Sequence, residues 1–397
     1  MYAYTYTRHA IFGLTIIFSC LFLFVLIFPN YILSHSIEII PDGFEKEKSS
    51  SWLFPLLISN GIFFVLLVFH KFDKLPRKIV EFKNNFQKKD ISKNVAFVIV
   101  VSILSFYVIF SADEFYREEL EFGDYEGALE GTKTWSEQID DLRIEPFLRY
   151  FFLFLSLEYL GNIRFLPFIA SIGLLILTYF VTKEITGKRS FGVISFVTLL
   201  QSNLFLLYDT TSTYENFWTV FYLLSIYLMI KNSITSTFSF VLTLFLKPIT
   251  ILFLPINILW SAFDQKIKNR KKLFFGFVSI VILIIIAASS QNLVHANNSD
   301  LDFERFVLSF NEIGNSLRFD NAILIIFIPV VVLLYIQSKN QTSRKVYILF
   351  AIFITMISQP ILYGIIDMTI QTYRFIPLVV FVSIGLGLIF SKESIVK

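Results

Sequence analysis

Thirteen apolar runs follow one another along this chain, at residues 10–33, 52–70, 95–111, 147–160, 164–182, 190–207, 214–230, 235–246, 249–263, 273–290, 322–337, 346–366 and 374–390. They leave little from which to build a water-soluble domain. Because one helical crossing of the hydrocarbon core takes ~20 residues, the pattern predicts an all-α polytopic membrane protein. Composition agrees: 16% of the 397 residues are charged, against ~25% in ordinary soluble domains. The single cysteine, Cys20, excludes an intramolecular disulfide, and no closely spaced Cys or His pair offers a structural zinc site.

The connecting segments differ in sign, and that difference orients the chain, because cytoplasmic loops are rich in Lys and Arg. Segment 71–94 carries eight basic residues against three acidic, 264–272 five against one, and 338–345 holds Lys339, Arg344 and Lys345. These are read as inside. Segment 112–146 carries twelve carboxylates against three basic residues, 34–51 four against two, and 291–321 five against two. These are read as outside. The assignment is consistent only if 147–160, interrupted by Arg149 and Glu158, does not cross but lies at the interface as an amphipathic juxtamembrane helix. Twelve crossings remain, with both termini cytoplasmic. The chain then divides into an N-terminal two-helix extension with its basic loop (1–94), a transmembrane module (95–391) that carries the acidic outer loop 112–146, and a short tail (392–397).

Ionisable residues at helix ends within a bilayer are costly and call for a partner or a function. Four such places fall on the outer face. Asp113 and Glu114 follow the third run, where a carboxylate beside lipid can act as general base toward an acceptor hydroxyl. A polar hairpin, Tyr208 to Glu215, contains acids and hydroxyls but no cation; by itself it reads equally as a solvated turn. Lys247 stands between two short apolar runs and before Pro248, which breaks the helix; a snorkelling lysine is the plain alternative. Tyr373-Arg374 heads the last run, where an interfacial anchor competes with bidentate phosphate binding. Two outward cations near carboxylates make a site for a phosphate leaving group and an activated nucleophile.

Taken in order, these features resemble the glycosyltransferase-C (GT-C) superfamily, multispanning enzymes that use polyprenyl-phosphate sugars and include protein O-mannosyltransferases and lipid A aminoarabinose transferases. The similarity lies in sequence order: an outer loop opening on an acidic pair, a juxtamembrane helix, Gly161-Asn-Ile-Arg164 heading the next helix, and a basic turn from Lys183 through Gly187 to Arg189. The hairpin Tyr208–Glu215, then Leu246-Lys247-Pro248, and Tyr373-Arg374-Phe-Ile-Pro377 complete it. The chain departs from the pattern at Ile144-Glu145-Pro146, in lacking Arg and Pro before Glu215, and in two extra N-terminal spans.

The resemblance implies an extracytoplasmic catalytic loop with juxtamembrane helices, and transfer of one sugar from a polyprenyl-phosphate donor to a hydroxyl of a protein, lipid or glycan acceptor, inverting at C1. It implies Asp113 as base with Glu114 supporting it, Glu215 as a second acidic position, Lys247 and Arg374 (with Tyr373) on the lipid phosphate, and Arg164 assisting at the interface. Mg²⁺ or Mn²⁺ is compatible with such an enzyme, although Asp113 and Glu114 alone are a thin ligand set. Membrane lipid is a partner and nucleic acid is not; the location is the plasma membrane, or the endoplasmic reticulum in a eukaryote. The alternative is a transporter or flippase of an amphipathic or lipid-linked substrate. An acyltransferase would need a site histidine, and of His9, His35, His70 and His295 only His295 has an acid, Asp300, at the expected spacing.

Overall fold

The computed structural model describes residues 2–27, 53–72, 74–117, 119, 125–135, 147–290, 302–303, 305–306, 309, 313–314, 317, 320–338, 343–366 and 371–391. Segment 34–51, the run Ile144-Glu145-Pro146, His35, His295, Asp300 and the tail 392–397 lie outside the described residues. Among the described residues the regular structure is helical throughout. Five helices are long and apolar enough to cross a membrane, at Thr5–Phe24, Lys93–Tyr116, Phe165–Thr186, Lys345–Gly364 and Thr372–Ile389. The chain is therefore an all-α membrane protein.

The helices, numbered along the chain, are α1 (Tyr2–Ile27), α2 (Leu53–Lys71), α3 (Arg77–Lys88), α4 (Lys93–Ala112), α5 (Tyr125–Lys133), α6 (Phe147–Leu160), α7 (Phe165–Thr186), α8 (Arg189–Leu200), α9 (Asn203–Tyr208), α10 (Glu215–Ile230), α11 (Thr235–Leu246), α12 (Leu254–Phe263), α13 (Arg270–Ser290), α14 (Asn321–Gln337), α15 (Lys345–Ile366) and α16 (Ile376–Ile389). Short 3₁₀ turns occupy Asp113–Tyr116, Pro248–Phe253 and Thr372–Phe375.

At the centre stands α16, apolar all round and buried along nearly its whole length, as a helix without a polar face must be. It packs against α7, α8, α14 and α15. Close approach to α8 depends on Gly387, where a Cβ would lie 2.8 Å from the Phe191 carbonyl oxygen; small residues at such crossings let backbones meet in the absence of a hydrophobic drive between helices. The two N-terminal helices do not stand apart: α1 packs on α14 and α15, and α2 on α14.

The single run expected at 190–207 is two helices. Ser202 ends α8 and caps α9 by accepting from the Phe205 amide at 3.0 Å, and its hydroxyl donates to the Asp320 carboxylate. Asp320 also accepts the Ile323 amide at the start of α14, so one buried carboxylate joins two helix beginnings, where negative charge is favoured.

Polar contacts between connecting segments fall into two sets. One set joins Arg8 to the Ser338 carbonyl (3.0 Å), Asp90 to the Arg189 and Ser190 amides (2.9 and 3.1 Å), Lys231 to Glu184 (2.8 Å) and Arg344 to Asp264 (2.6 Å). The other gathers the acidic loop, the 208–215 hairpin, Lys247 and the 371–375 turn, described next.

Candidate functional site

The hairpin between α9 and α10 forms the floor of the second set. Its residues Asp209 to Asn216 are all buried, not solvated as a loop of Asp, Thr and Ser would be. Arg164, the N-cap of α7, braces it. Its Nε donates to the Thr210 carbonyl at 2.6 Å, and its two terminal nitrogens donate to the carbonyls of Arg117 (3.1 Å) and Glu114 (2.9 Å). Arg164, expected to assist at the interface, clamps the turn after α4 to the hairpin through main-chain oxygens.

The acidic pair sits on that clamp. Asp113 is two-thirds exposed and forms an ion pair with Arg117 one helical turn on, at 2.5 Å. Glu114 is partly buried and accepts from the Thr210 hydroxyl at 2.6 Å. Among the described residues no three of His, Cys, Asp and Glu gather as a metal site.

At the other end of the hairpin the cations meet. Pro248 holds the residue before it extended, and Lys247 accordingly leaves α11 at φ −154°, ψ 104°. That turn aims its ammonium inward, where it is buried and pairs with Glu215, the first residue of α10. Trp218 Nε1 donates to the same carboxylate. Burial lowers the Lys247 ammonium's affinity for its proton; Glu215 opposes that, and the nearby positive charges of Arg374 and Arg149 add to it. Tyr373 and Arg374, in the 3₁₀ turn before α16, are buried as well. The Tyr373 ring lies 6.2 Å from that of Tyr214 and 5.9 Å from that of Tyr208.

Arg149 is the residue that sequence reading did not assign. Set on α6, which packs against α5, α7 and α11, its guanidinium lies 4.1 Å from the Tyr214 ring centroid and donates to the Tyr150 hydroxyl at 2.6 Å. Lys247 approaches the same Tyr214 ring at 5.8 Å. A cation on an aromatic face is stabilised by the ring quadrupole, which offsets part of the repulsion among three positive groups. The acidic loop covers this corner: Trp135 stacks on Phe154, their centroids 5.3 Å apart, and Gly131 lies so close to Tyr150 that a Cβ would come within 2.6 Å of its ring.

The structure thus brings Lys247, Glu215, Tyr373 and Arg374 together and adds Arg149, while Asp113, Glu114 and Arg164 gather at the opposite end of the hairpin. Thr210, which holds Glu114, and Tyr214, which faces the cations, are four residues apart, at most about 14 Å along extended chain. No family model, curated protein or solved structure matches this chain.

Proposed function

We propose that this protein is a GT-C-like membrane glycosyltransferase that moves one sugar from a polyprenyl-phosphate donor to an acceptor hydroxyl on the extracytoplasmic side, within a fold of twelve crossings. The observation that carries the reading is the convergence of Arg149, Lys247 and Arg374 around Tyr214 and Tyr373, at one end of a hairpin whose other end holds an acidic pair. A donor with an isoprenoid tail stays in the bilayer, so its phosphate has to be met by cations at helix ends.

The charges favour departure of the phosphate. With Lys247 protonated, three cations and the Glu215 carboxylate leave two positive charges in excess. The donor's phosphodiester carries one negative charge and the released monoester about two at neutral pH, so the cluster holds the product of bond cleavage more tightly than the ground state. That difference accelerates reaction, where uniform binding would not. In the step itself the acceptor oxygen attacks C1, the C1–O bond to phosphate breaks with its electron pair on the phosphate oxygen, and the hydroxyl proton goes to Asp113.

Replacing Arg374 with alanine removes one charged contact to phosphate, worth roughly 1.5–3 kcal/mol. Donor KM should rise about tenfold to a hundredfold, with a smaller change in kcat, when transfer is measured with a polyprenyl-phosphate sugar in proteoliposomes. Equal donor KM for variant and wild type would remove Arg374 from the phosphate site.

Orientation has its own test. In a Cys20→Ala background, Lys88→Cys and Lys133→Cys put thiols at two exposed positions on either side of α4. A membrane-impermeant maleimide should label position 133 from outside intact cells and position 88 only after permeabilisation. Labelling of both from one side sinks the topology.

A further inference from the structure

Helix α3 joins two apolar helices, α2 and α4, yet it is far more two-sided than either. Arg77, Glu81, Asn84 and Lys88 recur at the spacing of one helical face, and Ile79 and Phe86, two turns apart, fall on the opposite one. The level of the helix is fixed at its C-terminal end. The Phe86 ring lies 5.4 Å from that of Phe390, just beyond the span Thr372–Ile389, and 5.9 Å from that of Phe191, in the first turn of α8. The Lys188 ammonium donates to the Gln87 carbonyl, and Asp90 accepts the Arg189 and Ser190 amides. Lys93 then begins the span Lys93–Tyr116. One span ends and another begins beside α3, so the helix lies along the boundary between hydrocarbon and water.

We propose that α3 is an interfacial strap that rests on an anionic lipid surface, with its apolar face at the acyl boundary and its cations on the headgroups. At Phe86 the apolar face looks toward the bundle. Two turns back, about 10 Å along the axis, the same face is no longer covered by protein: Ile79 is 41% exposed, and Phe72, between α2 and α3, is 64% exposed. Water is a costly neighbour for both side chains, and lipid beside the spans is a favourable one. Lys74, Arg77, Lys78, Lys88, Lys89 and Lys93 are all exposed around them. The exposed acids of this segment are Glu81 and Asp90, and Asp90 is held by Arg189. Basic side chains beside an apolar stripe lay their stems along hydrocarbon and keep their charges at headgroup level.

The excess of cations names the partner. A neutral bilayer satisfies the apolar face alone, and a soluble acidic protein satisfies the cations alone. A bilayer with anionic headgroups meets both, at the level the two spans set. Each Lys or Arg near such a surface strengthens the attraction roughly fivefold. A groove of about 410 Å³ lies at the same level between α3 and the start of α8, lined by Asn85, Phe86, Lys89, Asp90, Ile91 and Ser190. Its walls are mostly apolar, with the cation Lys89 among them, which suits the upper part of a lipid chain beneath a negative headgroup. The strap stands on residues that the sugar-transfer step does not use.

The test uses the full-length protein with Cys20→Ala and a fluorescent probe on Ile79→Cys, reconstituted in vesicles of phosphatidylcholine with a minority of phosphatidylglycerol. Bromine is placed on the acyl chains of the phosphatidylglycerol or of an equal amount of the phosphatidylcholine, and it quenches the probe on contact. Both lipids should quench, the anionic one roughly fivefold more effectively per molecule, and high salt should remove the preference. A probe on Glu81→Cys, on the opposite face, should instead be quenched by aqueous iodide. Adding Arg77→Gln, Lys78→Gln and Lys89→Gln to the Ile79→Cys protein should make the two lipids equal. A preference that survives those changes, or equal quenching before them, overturns the anionic partner. A probe at position 79 that iodide reaches and neither bromolipid reaches overturns the strap and gives that face to a soluble partner. Should the triple variant fail to fold, the comparison of the two lipids on the protein without it decides.

Discussion

Lys247→Met is expected to destabilise the protein by roughly 3–5 kcal/mol, the cost of leaving one member of a buried ion pair uncompensated, and to abolish use of the donor. Glu215 is fully buried and its carboxylate is held by two groups, the Lys247 ammonium and the Trp218 indole N–H. Its place at the start of α10 lets the helix dipole support some of the charge, but only by about 0.3–1 kcal/mol in ordinary settings. Removing the lysine therefore strands a negative charge that a single indole cannot satisfy. The double variant Lys247→Met, Glu215→Gln removes both charges and should recover most of the lost stability, because the cost lies in the unpaired partner more than in the pair. It should not recover donor use, since the phosphate still lacks its central cation. Thermal unfolding of the four proteins in detergent gives the coupling between the two positions, and donor binding measured on the same samples separates folding from function. A double variant with normal donor affinity would confine Lys247 to a structural role.

How far the sequence reads depends on what each residue needs from distant parts of the chain. The apolar runs and the sign of their connections are local properties. Pro248 makes the direction of Lys247 a local matter too. Arg149, by contrast, looks like an anchor in an amphipathic segment, and its meaning comes from Tyr214, 65 positions later in the numbering. The break at Ser202 has no proline or glycine to announce it; it is stabilised by Asp320, 118 residues away. Asp209 was hidden for a different reason. A run of Asp, Thr and Ser has the composition of a solvated turn, and only the clamp made by Arg164, Thr210 and Glu114 draws it into the protein. Glycines at 131 and 387 likewise read as neutral until a neighbouring ring or backbone is seen to need the space.

Asp113→Asn should lower the rate of sugar transfer by about 10²–10⁴, the usual contribution of a positioned general base, while the protein remains folded and inserted. The two halves of that expectation come from one observation. Asp113 is two-thirds exposed, and its ion pair with Arg117 is a surface pair between residues one helical turn apart; such pairs contribute no more than about 1 kcal/mol. Asparagine keeps the size and one acceptor oxygen of the side chain but cannot take a proton, so stability should change little while the step that deprotonates the acceptor is lost. Glu114→Gln is the informative contrast. It leaves Asp113 in place but weakens the bond from Thr210, so it perturbs the tie between the turn after α4 and the hairpin without removing the proposed base. Rates for both variants, purified and reconstituted with a polyprenyl-phosphate sugar, distinguish the carboxylate that meets the acceptor from the one behind it. Undiminished transfer by Asp113→Asn, with Glu114→Gln inactive, would move the base one residue along the chain and leave the cation cluster's role unchanged. Undiminished transfer by both would leave the enzyme without a base at this end of the hairpin.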